Sequence, residues 1–537
     1  MAGERPTSAR QDPSPARHGG GDTVTGRKRI HWLWIAGVGI LSLDLLLLAA
    51  MHSIPAGYGS WVCVGRILGG LLFYGPGYPG SYMLAAVPVP NSALVMCVAL
   101  LGPLITFEGA AKLATGLVVL SLPLGVLAAN RTLHGGDGRT AALVALPLAM
   151  GWQSFLSQNC SIGLSLIMWG IAYFGWRTGR MRTASWIVLS GLVVLVFFAH
   201  GLSFLLAIVL VVSFVWYERI GLRGKILAMG VVLSPSLLLA TWYLAGPHPP
   251  LLIAGTWSVV TVLQSVLKPL MLFMRVHGVT SPVPPTYGNL PWFLLCGTFL
   301  FWTAKLGIKK RSIDRRFVAP IVFCLGCVLV LPDPFLGIDQ PGTRFGLPLV
   351  LCIALLAGRI QVRTVWGIAM IAVSIAVLLY DAVFFVRFDR MASELTADLG
   401  AATEGRRASY VLTFDWPQTT SVSEGFSAYA GGLSGIPQLY NARNNLVCEI
   451  PETGPVVMTD SLRARFPKPA GSNLAAWKSS LLASYPLLAR FSDIVVLGAT
   501  NEAAGAVEFL LERDWSIVRR NEIWTIMRSP GRTGAGQ

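Results

Sequence analysis

Twelve long apolar runs leave this chain few ways to fold. They fall near 31–51, 91–107, 112–130, 140–156, 161–177, 184–199, 201–218, 225–245, 288–305, 317–332, 344–359 and 364–386. Each approaches the roughly 17–25 residues a helix needs to cross hydrocarbon. Soluble domains carry about 25% charged residues, whereas this chain carries 13% and has a mean hydropathy of +0.61. The reading is an all-α polytopic membrane protein whose first partner is the lipid bilayer. A net charge of +16 would suit a nucleic-acid binder. That class is excluded, because the Lys and Arg gather in short clusters between the apolar runs, the pattern of cytoplasmic loops.

Those clusters orient the runs. Arg27, Lys28 and Arg29 precede the first; Arg177, Arg180 and Arg182 form one loop, and Arg219, Arg223 and Lys225 the next. Lys309, Lys310, Arg311, Arg315 and Arg316 form a third, with Arg359 and Arg363 a fourth. With all of them in the cytoplasm, both ends of 91–107 come out on the opposite, outer face. The run is therefore expected to be a re-entrant or interfacial helix opened by Pro88-Val-Pro90-Asn91 and ended near Pro103. Eleven crossings remain, with the N-terminus inside and the C-terminus outside. The alternative, in which 91–107 crosses and another run does not, stays open.

The same reading divides the chain. Residues 1–29 form a Ser/Pro/Gly/Arg-rich cytoplasmic tail expected to be disordered, and the following run is too long for an ordinary cleaved signal. Residues 30–386 form the transmembrane domain. Within it, 52–108 is a first outer loop, too rich in Gly and Pro to cross as one helix and too apolar to be a free loop. Irregular backbone at membrane depth survives only where protein or a watery cavity satisfies it. A Pro-rich second outer loop covers 246–287. Hydropathy collapses after Val386, and SYVLTFDW, SDIVVLGA, EAAGAVEFLLERDW and SIVRRNEIWTIMRS alternate strand and helix patterns. Residues 387–537 are read as a small extracytoplasmic α+β domain.

Ionisable groups placed in a membrane bundle are functional candidates by default. Asp44, less than two turns from the outer end of the first run, needs either a catalytic role or a cationic neighbour. Glu108 opens EGAAK, where an acid complements the helix dipole and has i,i+4 spacing to Lys112. Asn159 in SQNC either caps the helix after it or meets a sugar hydroxyl. His200, in the hairpin FFAHGLSF, is either a hydrogen-bonded structural residue or part of a site. Arg344 opens a helix at its outer end, where the dipole disfavours a cation. Asp333, Asp339 or an anionic ligand must compensate, and a guanidinium suits bidentate phosphate contact.

Other motifs carry less. Cys296, Cys324, Cys327 and Cys352 lie in apolar runs and read as small hydrophobes, the CxxC included. HGGDGR at 134–139 has no preceding strand and reads as a connector.

Four stretches together resemble the GT-C-fold integral membrane glycosyltransferase-like family of bacteria. They are PVPNSALVMCVALLGPLITFEGAAKL, SFLSQNCSIGLSL, FFAHGLSF and LPDPFLGIDQPGTRFGLPLVL, with SDIVVLGA…WTIMRS similar to the small outer domain after the last helix. The resemblance covers about residues 30–530. It implies a GT-C-like bundle in the bacterial inner membrane that takes a sugar from a polyprenyl-phosphate carrier on the outer face. By the same resemblance Asp44 or Glu108 is the catalytic base, with His200 beside it. Arg344, helped by Lys268 or Arg275, would neutralise the lipid phosphate, with Asn159 and Asp339 among the substrate-binding groups. Tyr74, Tyr78, Tyr82 and Trp61 would wall the isoprenoid or sugar, unless they form an interfacial aromatic belt.

One departure stands out. The family places an acid just after the first helix, as base or metal ligand, whereas this chain has no carboxylate between Met51 and Phe107. A divalent metal stays open, with no carboxylate pair at ligand spacing. The rival classes are a non-catalytic scaffold of that fold and a lipid-linked-glycan flippase. A transporter would show internal repeats, and none is evident.

Overall fold

The computed structural model describes residues 22–51, 58–74, 81–135, 139–150, 158–246, 305, 313–331, 344–356, 364–403, 409–413, 455–458, 493–497, 501–521 and 523–530, with isolated positions between 436 and 491. Three described segments are long and apolar enough to cross a membrane, His31–Ala50, Phe107–His134 and Leu222–Ala245, and shorter apolar helices pack among them. The chain is a multi-pass membrane protein, mostly helical, with a small mixed sheet.

The helices are α1 Asp22–Ala50, α2 Tyr58–Gly69, α3 Ala93–Ile105, α4 Phe107–His134, α5 Arg139–Met150, α6 Gln158–Arg177 and α7 Thr183–Ala199. After them come α8 Gly201–Trp216, α9 Leu222–Ala245, α10 Val318–Val330, α11 Gly346–Leu356 and α12 Thr364–Thr403. Close contacts set their directions. Trp169 on α6 donates to Ser121 on α4 at 2.9 Å, and a Cβ at Gly175 would sit 2.6 Å from Thr132 Oγ1, so α4 and α6 run parallel. α5, between them in the chain, packs instead against α1, α4 and α12. Ser213 donates to the carbonyl of Arg316 at 2.7 Å, and the His134 ring lies 3.0 Å from the carbonyl of Leu355. The turns after α4, α6 and α8, the start of α10 and the end of α11 therefore share one end of the bundle. That is the Arg177 end; the other carries His200.

α3 does not run from one end to the other. Its start is bound at the His200 end, where Ser92 N–H donates to the carbonyl of Phe198 at 2.9 Å. It finishes at Ile105, and after Thr106 the chain enters α4, whose second-turn Lys112 donates to the carbonyls of Ala49 and Met51 where α1 ends. One stripe of α3, Leu94, Val95, Val98, Ala99 and Gly102, is buried. The other leaves Leu100, Leu104 and Ile105 exposed. α2 presses on the buried stripe so closely that a Cβ at Gly65 would run into Val98.

α12 is 40 residues, about 60 Å at 1.5 Å per residue and so about twice the thickness of hydrocarbon. A Cβ at Gly367 would meet Leu33 at 2.7 Å and one at Gly37 would meet Ile371 at 3.4 Å, so α12 runs parallel to α1 and projects past its end. On that projection sits a four-stranded sheet in the order β2-β4-β6-β5, made of β2 Ser409–Thr413, β4 Asp493–Leu497, β5 Ser516–Arg520 and β6 Trp524–Arg528. β2 and β4 are parallel, the other pairs antiparallel. Period-two alternation divides the burial. Val495, Leu497, Trp524 and Ile526 pack with Phe388, Leu395 and Leu399 of α12. Ile494, Val496 and Met527 pack with α13, Asn501–Leu511, and with Cys63, Ile67 and Leu68 of α2. Trp524 Nε1 donates to Asp398 at 3.1 Å, and Arg528 pairs with buried Asp493 at 3.2 Å.

The first loop and the C-terminal region also share a sheet. β1, Tyr82–Leu84, pairs antiparallel with β3, Val456–Met458, across more than 370 residues of sequence. Tyr82 is buried in the core this creates, and Trp61 packs against it. Buried Tyr82 therefore serves packing between the loop and the sheet region rather than a substrate wall or aromatic belt, while Trp61 is half-buried beside it.

Candidate functional site

The His200 end gathers polar groups that an apolar bundle would otherwise exclude. α7 ends and α8 begins at His200, which is extended (φ −166°, ψ 130°), so the chain turns there without a loop. Its N–H donates to Val196 and its carbonyl accepts from Phe204, each at 2.9 Å, leaving only the ring free to interact. That ring is buried, and its Nε2 lies 3.2 Å from Arg344 Nη1. A guanidinium can only donate, so Nε2 accepts and the proton sits on Nδ1. Burial, and then the adjacent Arg344 charge, push the imidazole pKa down to about 3. His200 is thus a neutral acceptor whose Nδ1–H has no partner among the described residues.

Arg344 stands in the turn before α11, where the dipole of that helix opposes a cation. Among the described residues no carboxylate reaches it; its one bond is to His200. Asp333 and Asp339, the acids expected to compensate, lie outside the described residues, as do Tyr78, Lys268 and Arg275. Of Tyr74 only the backbone is described, closing the π turn Gly70–Tyr74.

Neighbouring groups hold this end together. Asn159 caps a helix, but α3 rather than the α6 in which it lies. Its Oδ1 accepts from Leu94 N–H at 3.2 Å and its Nδ2 donates to the carbonyl of Asn91 at 3.0 Å. Both ends of the amide are occupied, which favours the capping alternative over sugar contact. Asn91 itself is left-handed (φ 68°), a conformation its short amide tolerates, and its buried Oδ1 has no partner among the described residues. Ser203 donates to the carbonyl of Cys160 at 3.2 Å, and a Cβ at Gly163 would stand 2.6 Å from Ser203 Cβ, so α6 and α8 touch backbone to side chain here.

Asp44 lies on the buried stripe of α1 with Ile40, Leu41, Leu48 and Met51, itself 1% exposed. Its Oδ1 has no partner among the described residues, and no Arg or Lys there forms an ion pair with it. Gly37 lies against Leu143 and Leu146 of the parallel α5. Seven residues on, Asp44 is level with the end of α5, in the His200 half of the bundle. Glu108 sits half-exposed in the first turn of α4, where Thr106 Oγ1 caps Gly109 N–H at 3.0 Å. The structure therefore joins His200 to Arg344 directly and sets Asp44 and Glu108 on α1 and α4 at the same end.

No three His, Cys, Asp or Glu side chains gather among the described residues, so these do not fit a protein-held divalent cation. Cys324 and Cys352 are buried free thiols and Cys327 is half-buried. Sequence reasoning missed Asn91 as a site group; its one signal was an Asn directly after Pro-Val-Pro at a helix start.

No protein-family model matches the chain, and no curated protein sequence matches it. Solved structures do. ArnT from Cupriavidus metallidurans in the apo state is 13% identical, with a TM-score of 0.47 over 93% of this chain and 97% of that one. The same protein bound to undecaprenyl phosphate is 14% identical, with a TM-score of 0.44 over 94% and 99%. The apo oligosaccharyltransferase of Archaeoglobus fulgidus is 10% identical, with a TM-score of 0.43 over 89% and 70%. At such scores the likeness assigns no residue a role.

Proposed function

We propose that this chain is a GT-C-type membrane glycosyltransferase, with eleven crossings and its His200 end on the outer face of a bacterial inner membrane. Its donor would be a sugar on a polyprenyl-phosphate carrier, and its acceptor an envelope lipid, glycan or protein. The observation that carries the reading is Arg344: a guanidinium set against its helix dipole, met by no described carboxylate, and held by a neutral imidazole. A cation so placed is matched to an anion that arrives and leaves.

In this mechanism Asp44 would accept the proton of the acceptor hydroxyl, which requires that hydroxyl to come within hydrogen-bond reach of the buried carboxylate. The hydroxyl oxygen attacks the anomeric carbon from the face opposite the phosphate. The bond from that carbon to the phosphate oxygen breaks with its electron pair staying on the oxygen, and configuration inverts. Arg344 stabilises the charge that develops on the phosphate. His200 is a positioning residue: with Nε2 accepting from a cation, it fixes the guanidinium rather than taking a proton. α3, with apolar Leu100, Leu104 and Ile105 turned away from protein, would lie in the outer interface and roof the cleft.

The test is binding of undecaprenyl phosphate to the full chain in detergent, followed by transfer from a lipid-linked sugar library in proteoliposomes. Arg344→Ala should weaken carrier binding and slow transfer, and Asp44→Asn should spare binding and slow transfer further. If both variants bind and transfer as the parent does, the reading fails. The missing acid between Met51 and Phe107 favours a second reading, a scaffold that keeps the fold without transfer. Carrier binding without turnover under any donor would select it.

A further inference from the structure

Between the two ends of the bundle lies a feature that sugar transfer does not use. α6, α7, α8 and α9 enclose a cavity of about 60 Å³ lined wholly by apolar side chains, among them Ile171, Phe174, Trp186, Leu192, Leu210 and Phe214. At about 10–15 Å³ for each water-sized group, it has room for a short run of methylenes, and its dry walls offer water no hydrogen bond. Along α7 the lining runs from Val196 to Trp186, about 15 Å at 1.5 Å per residue. It stops one turn short of the loop that carries Arg180 and Arg182. Gly170 lies in the wall, and a Cβ there would meet only Leu192 Cδ1, at 3.9 Å.

The loops at that end are charged in one sense. Residues 177–182 and 217–225 hold six cations, Arg177, Arg180, Arg182, Arg219, Arg223 and Lys225, against one carboxylate, Glu218. Glu218 is buried and turned inward: its Oε1 accepts from Gly179 N–H at 2.9 Å, tying the two loops into a single patch. Arg180, Arg182, Arg219 and Arg223 are exposed. Arg177 lies 4.0 Å over the Trp176 ring, and its buried Nε has no partner among the described residues. Trp176 and Trp216, exposed where α6 and α8 end, mark the depth at which headgroups meet hydrocarbon.

We propose that patch and cavity together bind one anionic phospholipid from the leaflet on that side. Its phosphate sits on the Arg177–Arg182 loop and a segment of one acyl chain fills the cavity. Six cations against one buried acid select a net negative headgroup. The carrier lipid of the proposed transfer would place its own phosphate at Arg344, across about 30 Å of hydrocarbon, which leaves the membrane phospholipid as the occupant.

Native mass spectrometry of the full chain, delipidated and then given phosphatidylglycerol or phosphatidylcholine of equal chain length, tests this. The parent should retain one phosphatidylglycerol at least about tenfold better than phosphatidylcholine, as two or more surface cations at about 1 kcal/mol each imply. Arg180→Glu with Arg182→Glu should erase that preference. Gly170→Leu should keep the preference but lose the advantage of dioleoyl over dihexanoyl chains. Melting curves without lipid establish that both variants fold. Equal retention of the two lipids by the parent, or folded variants that hold phosphatidylglycerol as the parent does, would reduce the feature to ordinary lipid solvation. Undecaprenyl phosphate outcompeting phosphatidylglycerol at this patch would also overturn it, by assigning the occupant to the carrier.

Discussion

The two ends of the bundle both carry arginine and use it in opposite ways. At the Arg177 end, six cations stand on short loops, four of them exposed, and the lone acid ties the loops together. At the His200 end a single Arg344 is held by a buried ring, near amide and imidazole atoms that have no partner among the described residues. Among the described residues one end is closed by short turns; the other is overlaid by α2, α3 and a sheet region pinned through β1 and β3. Exposed, repeated charge can orient a chain and meet a leaflet, whereas a half-buried cation held by a neutral ring calls for a specific counter-charge. Residue type alone does not separate these roles; surroundings do.

Four measurements would break or sharpen that contrast. Asp44→Asn should have the largest effect, a loss of about 10²–10⁴ in turnover if its carboxylate is the base, with carrier binding and the melting temperature near those of the parent. An equally large fall in melting temperature would instead make Asp44 a structural group. Arg344→Ala should cost about 10²–10³ in turnover, the usual size for one preorganised charge donor. Arg344→Lys should recover only part of it, because an ammonium lacks the bidentate fork. A full recovery would argue against a bidentate phosphate contact.

Asn159→Ala removes the cap that fastens α3 and should cost about 1–3 kcal/mol, since it strands Leu94 N–H and the carbonyl of Asn91. Limited proteolysis near residue 91 should speed up; unchanged cleavage would mean that the Ser92–Phe198 bond holds α3 alone. The smallest expected effect is one of pH. His200 lies between α7 and α8, and its folded pKa is held down to about 3 against an ordinary 6.5. The folded state therefore binds fewer protons than the unfolded state within that window. Its contribution is complete above about pH 6.5 and is lost as pH falls toward 3. Melting temperature followed from pH 7 to 4 should decline, and His200→Gln should flatten the decline. A parent curve as flat as the variant's would refute the neutral-acceptor role.

Much of this was legible in the sequence. Apolar runs and basic clusters foretold a helical membrane bundle, and the alternation in SDIVVLGA and EIWTIMRS foretold a sheet after it, because periodicity and hydropathy are local properties. The parity of the basic loops is an argument about a membrane, and the contacts that fasten the start of α3 to Phe198 are a separate, tertiary matter. His200 and Arg344 could each be singled out by position, one in a hairpin between spans and one at the wrong pole of a helix. That they touch could not, since 144 residues separate them. Asn159 shows the same limit: its type announced a cap, but only packing decided which helix it caps. Tyr82 reads as an interfacial or substrate-facing aromatic, yet it is buried where β1 pairs with β3, far along the chain.

The sequence by itself determined which segments can leave water and which end of each carries charge, for those follow from transfer energies counted residue by residue. Tertiary structure alone decided which arginine is held by an imidazole, which carboxylate of the first helix is buried, and which loop the C-terminal region closes over. Those depend on contacts between segments hundreds of residues apart, and burial gives a polar atom its energetic weight only once they form.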